Sequence, residues 1–294
     1  MRSYTSLRNT FTTMTSNTNT ENYTFGDLMI NDAIKKIIGM SMDWYFLEAT
    51  STATTVANQQ NYTLPYNYEK MNSVTVTIGS YKYPIREVPN RDFWDKLQLT
   101  TNFTSNYQQW YFIDAGQIYF FPKPSSNGNT FTFNYKMGFK DLANADYTTG
   151  TISLTNGSAT VTGSGTTFTA AMVGRYLQPT VDGYWYKISA YTSATSITLE
   201  KTFQGTTGSS LAYTIGEISP LPEPYQDLPL YYALMMYYTY KNTDRSDNRI
   251  VQFRNLWDDG LKALRSYANK TTSNVLADER DAESIDNPNL YITA

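Results

Sequence analysis

The pattern of hydrophobic and polar positions predicts a first long helix over residues 25–48. Apolar side chains recur there three and four positions apart, as in Ile30, Ile34 and Ile37, which is the spacing of an amphipathic helix. Thr24 precedes the stripe and has the side chain of an N-cap residue. Residues 1–23 are rich in serine, threonine and asparagine, and we predict that they form a flexible N-terminal arm.

Residues 62–140 alternate between apolar and polar side chains, which is the pattern of half-buried β-strands. A short helical turn over residues 91–97 interrupts the alternation. The predicted strands are residues 62–64, 71–78, 81–88, 109–113, 118–121 and 130–137. Their short, glycine-containing connections indicate a small block of antiparallel strands.

The composition shifts near residue 147. Residues 148–218 consist mostly of threonine, serine, glycine, tyrosine and valine, and they carry few charges. The predicted strands are residues 150–155, 159–162, 175–178, 184–190, 196–199 and 212–218. The Asn156-Gly157 pair between two alternating runs is a strong hairpin signal. So many short strands favour a β-sandwich or small barrel, and we predict an inserted all-β domain over residues 147–219.

Helical patterns return after three prolines. Residues 228–240 are apolar or aromatic on nearly every side, so this helix is either buried in the core, the favoured interpretation, or wedged between partners. Residues 248–269 form a second, amphipathic helix. Beyond residue 270 the chain is polar and acidic and cannot build its own core. We predict an extended C-terminal segment over residues 271–294, or one that docks on a partner.

These elements predict an α+β protein. Its helical core domain contains the small antiparallel β block, and an all-β domain, either an Ig-like sandwich or a small barrel, is inserted into it. The predicted domains are the arm of residues 1–23, a core of residues 24–146 and 220–270, the insertion of residues 147–219 and the segment 271–294.

The composition removes the commonest catalytic chemistries. Among 294 residues there is no histidine and no cysteine, so imidazole bases, thiolate metal ligands and the usual nucleophilic triads are unavailable. Carboxylate pairs such as Asp92 and Asp95 lie on short polar stretches, where solvated charge is the favoured interpretation. We therefore predict no catalytic residue, no metal site, no cofactor and no enzymatic activity.

The composition is typical either of contact surfaces or of a β-rich protein with tyrosines on half-exposed strands. The chain has 26 tyrosines, only 17% charged residues and a net charge of −3 at pH 7. Tyrosine offers a large apolar area and a hydrogen-bonding hydroxyl, which suits protein interfaces. There is no basic stripe of the kind that nucleic-acid binders carry. There is also no apolar run of about 18 residues, so we expect no membrane span.

The order of motifs in residues 62–142 resembles the head-to-tail adaptor, or head completion, proteins of tailed bacteriophages. The segments that carry this resemblance are residues 62–65, 74–88, 91–94, 109–113, 116–124 and 131–135. The order of a helix, a strand-rich block and two C-terminal helices is also similar to that family. Residues 163–168 and 172–175 resemble an Ig-like insertion of phage structural proteins. The whole resemblance covers roughly residues 25–270.

The resemblance implies a virion protein at the head–tail junction, made in the host cytoplasm. Such proteins form a ring, commonly of twelve copies, beneath the portal. The ring extends the channel through which genomic DNA passes without specific binding during packaging and ejection. It also docks tail tube, nozzle, fibre or spike proteins.

The resemblance also implies roles for individual residues. The C-terminal segment is implied to reach the portal, with candidate contacts Asn274, Val275, Leu276, Ile285, Leu290, Tyr291 and Ile292. Candidates for the ring wall or the helical core are Tyr231, Tyr237, Tyr238, Phe253 and Trp257. Candidates for the outer face are Tyr184, Trp185 and Tyr186.

An alternative function is a carbohydrate-binding or receptor-binding tail module. Tyr184, Trp185 and Tyr186 on a β-sandwich would then stack on sugar rings. The N-terminal and C-terminal helices argue against this reading, because a lectin module rarely needs them. A carboxylate-based glycosidase is a third hypothesis, which requires two inward-facing carboxylates in a cleft.

Overall fold

The structure, a computed structural model, describes residues 1–40, 44–99, 103–241 and 248–285, with side chains as far as Ala268. The helices in these ranges are α1 (Tyr4–Thr15), α2 (Thr20–Ile38), α3 (Arg91–Gln98), α4 (Leu228–Lys241) and α5 (Asn248–Ile285). The first strands are β1 (Glu48–Thr54), β2 (Asn61–Thr63), β3 (Tyr68–Ile78), β4 (Tyr81–Glu87), β5 (Thr104–Ser105), β6 (Trp110–Asp114), β7 (Gln117–Phe121), β8 (Lys123–Pro124) and β9 (Thr130–Met137). The remaining strands are β10 (Thr151–Leu154), β11 (Thr160–Ser164), β12 (Tyr176–Pro179), β13 (Tyr186–Ser193), β14 (Ser196–Leu199), β15 (Gly208–Leu211) and β16 (Tyr213–Gly216). The predicted α+β class, with an all-β, sandwich-like part, is confirmed.

The chain divides into two compact units. One unit joins Met1–Asp43 to Asp141–Ala294, and the other is Trp44–Lys140. The β block predicted within the helical core is therefore a unit of its own. The predicted domain boundaries and the insertion over residues 147–219 stay predictions.

The unit Trp44–Lys140 is built on a sheet with the strand order β1-β9-β3-β4-β6-β7-β2. Its neighbouring strands are antiparallel except for β4 and β6. The predicted hairpin around Gly79 is confirmed, with Val74 opposite Ile85 and Ile78 opposite Tyr81. Strand β1 was not among the predicted strands, because its run of threonine, serine and alanine has no apolar alternation.

Aromatic side chains form the core of this unit. The rings of Phe120 and Phe131 are stacked with their centroids 3.9 Å apart, and the ring of Tyr62 packs edge-on against both. These rings come from strands β7, β9 and β2, which are not all neighbours in the sheet. Side chains from strands that are not neighbours therefore meet on one side of the sheet and form a single hydrophobic layer.

The other unit contains the second sheet, with the strand order β15-β10-β11-β14-β13-β12-β16. Its pairs are antiparallel. The side chains of Val161, Ile188, Ile197 and Ile215 are fully buried in its core. Strand β15 was not among the predicted strands, because its residues Gly-Ser-Ser-Leu carry a single apolar side chain.

Helix α2 begins earlier and ends earlier than the sequence predicted. It runs over Thr20–Ile38 with Asn19 as its N-cap residue, so the predicted cap at Thr24 is wrong. The helix stops before Gly39, whose conformational freedom weakens a continuing helix. Ile30, Ile34 and Ile37 are fully buried, as the predicted stripe requires.

The predicted flexible arm of residues 1–23 is wrong. Residues Tyr4–Thr15 form helix α1, which is capped by the Ser3 hydroxyl accepting from the Ser6 N–H at 3.2 Å. Leu7 and Phe11 are fully buried. The sequence pattern did not predict this helix because threonine and serine occupy half of its positions. Two or three buried apolar side chains nevertheless suffice to anchor it.

Helix α5 also corrects a prediction. It continues to Ile285, so the first part of the segment predicted as extended, residues 271–285, is helical. Residues 286–294 lie outside the described residues. Glutamate, aspartate, alanine and arginine in residues 277–284 favour helix by intrinsic propensity or side-chain pairing even without a hydrophobic core.

Candidate interaction surfaces

The aromatic candidates on α4 and α5 lie mainly inside the helical layer. Tyr237 and Tyr238 are buried, and the ring of Tyr237 packs edge-on against Phe11 of α1 at 5.7 Å. The ring of Tyr238 stacks on Phe253 of α5 at 6.0 Å and 3°. Trp257 is buried too. Helix α4 is therefore a core helix, as the favoured interpretation predicted.

Buried phenol hydroxyls in this layer have polar partners. The Tyr232 hydroxyl donates to Asp32 Oδ2 at 3.0 Å, and the Tyr238 hydroxyl donates to the backbone oxygen of Met14 at 2.9 Å. Burial, reinforced by Asp32, raises the pKa of Tyr232 above its usual value. Such hydroxyls fix how α4 sits against α1 and α2, because an unpaired buried hydroxyl is costly.

Other apolar side chains of the helical layer face outward. Tyr240 of α4 is 77% exposed and stacks on Phe25 of α2 at 5.8 Å. Leu28 of α2 is 62% exposed, and Leu256 and Tyr267 of α5 are also exposed. The sequence named Tyr237, Tyr238 and Trp257, which are buried, among the candidates for a ring wall or the helical core, whereas these four side chains are among the exposed apolar ones. The sequence does not show which face of each helix is covered by its neighbours, so it could not identify these exposed side chains.

The three outer-face candidates do not form one aromatic platform. Tyr184 is 72% exposed. The ring of Tyr186 instead lies 5.6 Å from Phe203, and its hydroxyl donates to Asp182 Oδ2 at 2.6 Å. Trp185 Nε1 donates to the backbone oxygen of Met1 at 3.2 Å. Successive residues point to opposite sides of an extended chain, which separates Trp185 from its two neighbours. The contacts of Tyr186 with Phe203 and Asp182 engage that ring within the chain, and this weakens the sugar-stacking hypothesis.

A polar junction at the N-terminal segment was not found from the sequence. The backbone N–H of Tyr4 donates to Glu217 O at 2.8 Å, and the Ser3 hydroxyl donates to Asp146 Oδ2 at 2.7 Å. On the other side, Arg2 Nη1 donates to Asp227 Oδ1 at 2.5 Å. The segment thus joins the second sheet to the start of α4. Its only sequence signal is the charge of Arg2, which falls in a stretch otherwise typical of a disordered terminus.

Arg175 completes this junction from strand β12's side. Its Nη2 donates to the backbone oxygens of Ala145 and Ile215 at 2.6 and 2.9 Å. Burial lowers the pKa of the Arg175 guanidinium, while Glu217 and Asp146 nearby counteract that effect. The charged guanidinium of Arg175 therefore links the backbone at Ala145, before β10, to the backbone of β16 at Ile215.

An apolar cleft lies in the unit Trp44–Lys140. It has a volume of about 390 Å³ and is lined by Phe93, Lys96, Leu97, Phe103 and Phe121. Its lining is largely hydrocarbon, with one ammonium group at the side. Such a cleft offers packing surface and no set of convergent catalytic groups.

Comparison with known protein families decides the class of this chain. The family model of the SU10 adaptor protein matches residues 3–156, just over half of the chain. The chain belongs to the SU10 adaptor protein family. No match was found among curated proteins. The adaptor is a bacteriophage structural protein of the virion, which agrees with the resemblance seen in the sequence.

The matched region tells which elements the adaptor family shares. It starts at residue 3, so it includes helix α1 as well as α2 and the unit Trp44–Lys140. It ends at residue 156, inside the second sheet. The Ig-like character of that sheet stays a prediction.

The carboxylate pair of Asp92 and Asp95 is engaged in ion pairs at the surface. Asp92 pairs with Lys96 at 2.6 Å, and Asp95 pairs with Arg91 at 3.0 Å. In the part of the chain that the structure describes, no cluster of three acidic side chains could hold a metal ion. No helix of that part is long and apolar enough to cross a membrane.

The portal-contact candidates fall into two groups. Asn274, Val275, Leu276 and Ile285 belong to helix α5, of which the backbone alone is described at these positions. Leu290, Tyr291 and Ile292 lie outside the described residues.

Proposed function

We propose that this adaptor forms a ring, dodecameric as in the proteins that its sequence resembles, between the portal and the tail of a phage. The ring extends the DNA channel during genome packaging and ejection. The segment of residues 271–294 contacts the portal, and the second sheet faces outward toward tail tube, nozzle, fibre or spike proteins. Membership of an adaptor family supports the general role.

The length of helix α5 carries the proposal. Helix α4 has 14 residues and α5 has 38, which at about 1.5 Å per residue gives lengths of about 21 Å and about 57 Å. The side chains of the 17 residues 269–285 lie outside the described ones, but their helical backbone takes α5 well past the length of α4. We infer that this additional length packs on a partner.

The sequence of that continuation supports a partner. Its large apolar residues are Val275, Leu276 and Ile285, and most other positions are polar or acidic. A helix with so few apolar side chains is marginal when isolated in water. Docking on a large matching surface, such as the portal, supplies the missing contacts and orders the segment at the same time.

The charge of the chain suits a DNA channel. The net charge is −3, and the sequence has no basic stripe. A neutral or acidic lining repels phosphates weakly, so DNA passes without being held.

Portal binding of three variants tests the proposal. Deletion of residues 271–294 should abolish binding to the purified portal and lower the melting temperature by no more than a few degrees. The double substitution Val275→Asp with Leu276→Asp should weaken binding at least about tenfold, which corresponds to about 1.4 kcal/mol.

The matched control is Thr271→Asp with Thr272→Asp. It adds the same charge to the same helix but removes no large apolar side chain. We expect this control to bind the portal nearly as well as the wild type. Normal binding by the deletion variant would refute the portal contact.

A further inference from the structure

The outer edge of strand β1 differs from every other sheet edge of the described residues. Strand β1 has seven residues and is paired only with β9, from Glu48 opposite Lys136 to Thr54 opposite Thr130, without a bulge. It contains no proline and no lysine, which are the residues that usually block an edge from further pairing.

The other edges are short or covered. Strand β2 has three residues. Strand β15 has four, with Ser210 at φ 53° and an irregular register to β10. Strand β16 exchanges hydrogen bonds with Tyr147, whose N–H donates to Ile215 O at 2.9 Å and whose oxygen accepts from Ile215 N–H at 2.8 Å. Because the other edges are short or covered, β1 is the longest edge strand of the described residues that is left open to further pairing.

The residue after β1 shows which way the peptide groups of the strand point. The Thr55 N–H donates to Asn129 O at 2.8 Å, and the Thr55 oxygen accepts from Gly128 N–H at 3.1 Å, so Thr55 faces the β9 side. Because alternate residues of an antiparallel strand face alternate sides, the peptide groups of Glu48, Thr50, Thr52 and Thr54 point away from β9. Of these outward groups, the Glu48 N–H donates to Tyr45 O of the preceding turn, and within the described part of the chain no hydrogen bond reaches the others.

The sequence of β1 is self-complementary. Residues 49–53 read Ala-Thr-Ser-Thr-Ala in both directions. When two copies of β1 are placed antiparallel with Ser51 opposite Ser51, Thr50 lies opposite Thr52 and Ala49 opposite Ala53. In this register the outward groups of each strand meet the outward groups of the other.

We propose that β1 is a docking edge for β1 of a second copy of this chain. The four outward residues of each strand form four opposed pairs; the two Thr50–Thr52 pairs exchange two bonds each and the two Glu48–Thr54 pairs one each, about six in all. The exposed Thr50 and Thr52 form threonine–threonine cross-strand pairs on one face. On the other face, Ala49 and Ala53, which pack on the core of their own unit, continue the apolar layer into the second copy.

This pairing goes beyond the proposed ring. A contact that uses the same strand on both copies closes after two copies and cannot by itself generate a ring. It is a second association of the adaptor, independent of the contacts that the ring needs. Because it is a single pair of strands, it is weak, and the dimer fraction should depend on protein concentration.

Cysteine cross-linking tests the register. The chain has no cysteine, so an introduced cysteine is the only thiol. Ser51 lies opposite itself in a pair without mutual hydrogen bonds, where the Cα atoms stand about 4.5 Å apart, a separation that permits a disulfide. The Ser51→Cys variant should therefore form a disulfide-linked dimer under mild oxidation.

The Ala53→Cys variant is the matched control. Ala53 lies on the same face of β1 with a similar partial exposure, but it would lie opposite Ala49. We expect it to cross-link at least about tenfold more slowly than Ser51→Cys, since its own counterpart lies about four residues, or about 13 Å, away along the strand. Equal rates for the two variants would overturn the proposal.

Sedimentation velocity of the full chain without portal supplies the second readout. The wild type should shift from monomer to dimer over about a hundredfold rise in concentration. The Thr52→Pro variant loses an outward N–H and none of the bonds to β9, so it should stay monomeric, while Thr52→Val should dimerise. A wild type that is monomeric throughout, or a dimer that persists in Thr52→Pro, would refute the pairing.

Discussion

Gly26 of helix α2 lies directly against the ring of Phe11 of helix α1. A Cβ atom at residue 26 would stand only 2.6 Å from Phe11 Cδ1. Phe11 is fully buried, so its ring has no solvent side into which it could move. The absence of a side chain at residue 26 is what allows α1 and α2 to pack this closely.

The Gly26→Ala substitution should therefore destabilise the protein. Alanine favours a helix over glycine by about 1 kcal/mol, but overpacking a filled core costs typically about 1–3 kcal/mol. We expect a net loss of about 1 kcal/mol in the free energy of unfolding, measured by denaturant titration. In a Phe11→Ala background the same substitution should cost nothing or stabilise, since the clash is gone. Greater stability of Gly26→Ala in the wild-type background would contradict this packing.

The strands were more predictable than the first helix for a physical reason. Strand β9 was predicted with its observed bounds, because Phe131, Phe133 and Tyr135 alternate with polar residues and all three are buried. Helix α1 was missed because its core contacts come from Leu7 and Phe11 within a run of hydroxyl residues. A sequence pattern records which side chains are apolar, whereas α1 forms because α2 and α4 offer it a surface.

Asn31 gives a second stability prediction. Its side chain is nearly buried, its Nδ2 donates to Leu142 O at 2.9 Å, and its Oδ1 accepts from Leu142 N–H at 2.9 Å. The Asn31→Ala substitution leaves both backbone groups of Leu142 without this partner, which should cost about 2 kcal/mol. Denaturant titration checks the loss, with the exposed Asn9→Ala in α1 as the control. A cost below that of the control would show that Asn31 does not hold this junction.

The stability should fall at alkaline pH. Burial, with the hydrogen bond to Asp182, raises the pKa of Tyr186 to about 12, and burial raises the pKa of Tyr4, Tyr111 and Tyr213 as well. A pKa that is higher in the folded state gives a stabilisation that is complete below about pH 10, the unfolded value. It is lost as the pH rises through about 12.

Denaturant midpoints measured between about pH 9 and about pH 12 check this dependence. We expect Tyr186→Phe to flatten the decline, because phenylalanine has no proton to lose. A wild-type midpoint that stays constant to pH 12 would contradict the assigned environments of these tyrosines.

The interaction surfaces were predictable only in outline. The sequence favoured a core position for α4, but it could not say which rings its side chains meet, as Tyr237 meets Phe11 of α1 and Tyr238 meets Phe253 of α5. It also grouped Tyr184, Trp185 and Tyr186, although Tyr184 is exposed, Trp185 bonds to Met1 O and Tyr186 packs on Phe203. The open edge of β1 has no signal in hydrophobicity, since pairing depends on the peptide groups and on which strand lies outermost.

DNA binding by the free adaptor should be weak. With a net charge of −3 and no basic stripe, the chain offers few phosphate contacts, and we expect no saturable binding to duplex DNA at physiological salt. Fluorescence anisotropy with a labelled duplex is the measurement. Tight binding that weakens steeply with salt would contradict a channel through which DNA moves freely.

Electron microscopy of the adaptor mixed with purified portal tests the central claim most directly. The proposed function predicts a closed ring of adaptor copies, coaxial with the portal and continuing its channel, with the helical end of α5 against the portal. The same preparation with residues 271–294 deleted should show portals without a ring. Adaptor copies bound singly, or portals left bare by the full-length chain, would contradict the role of a ring between portal and tail.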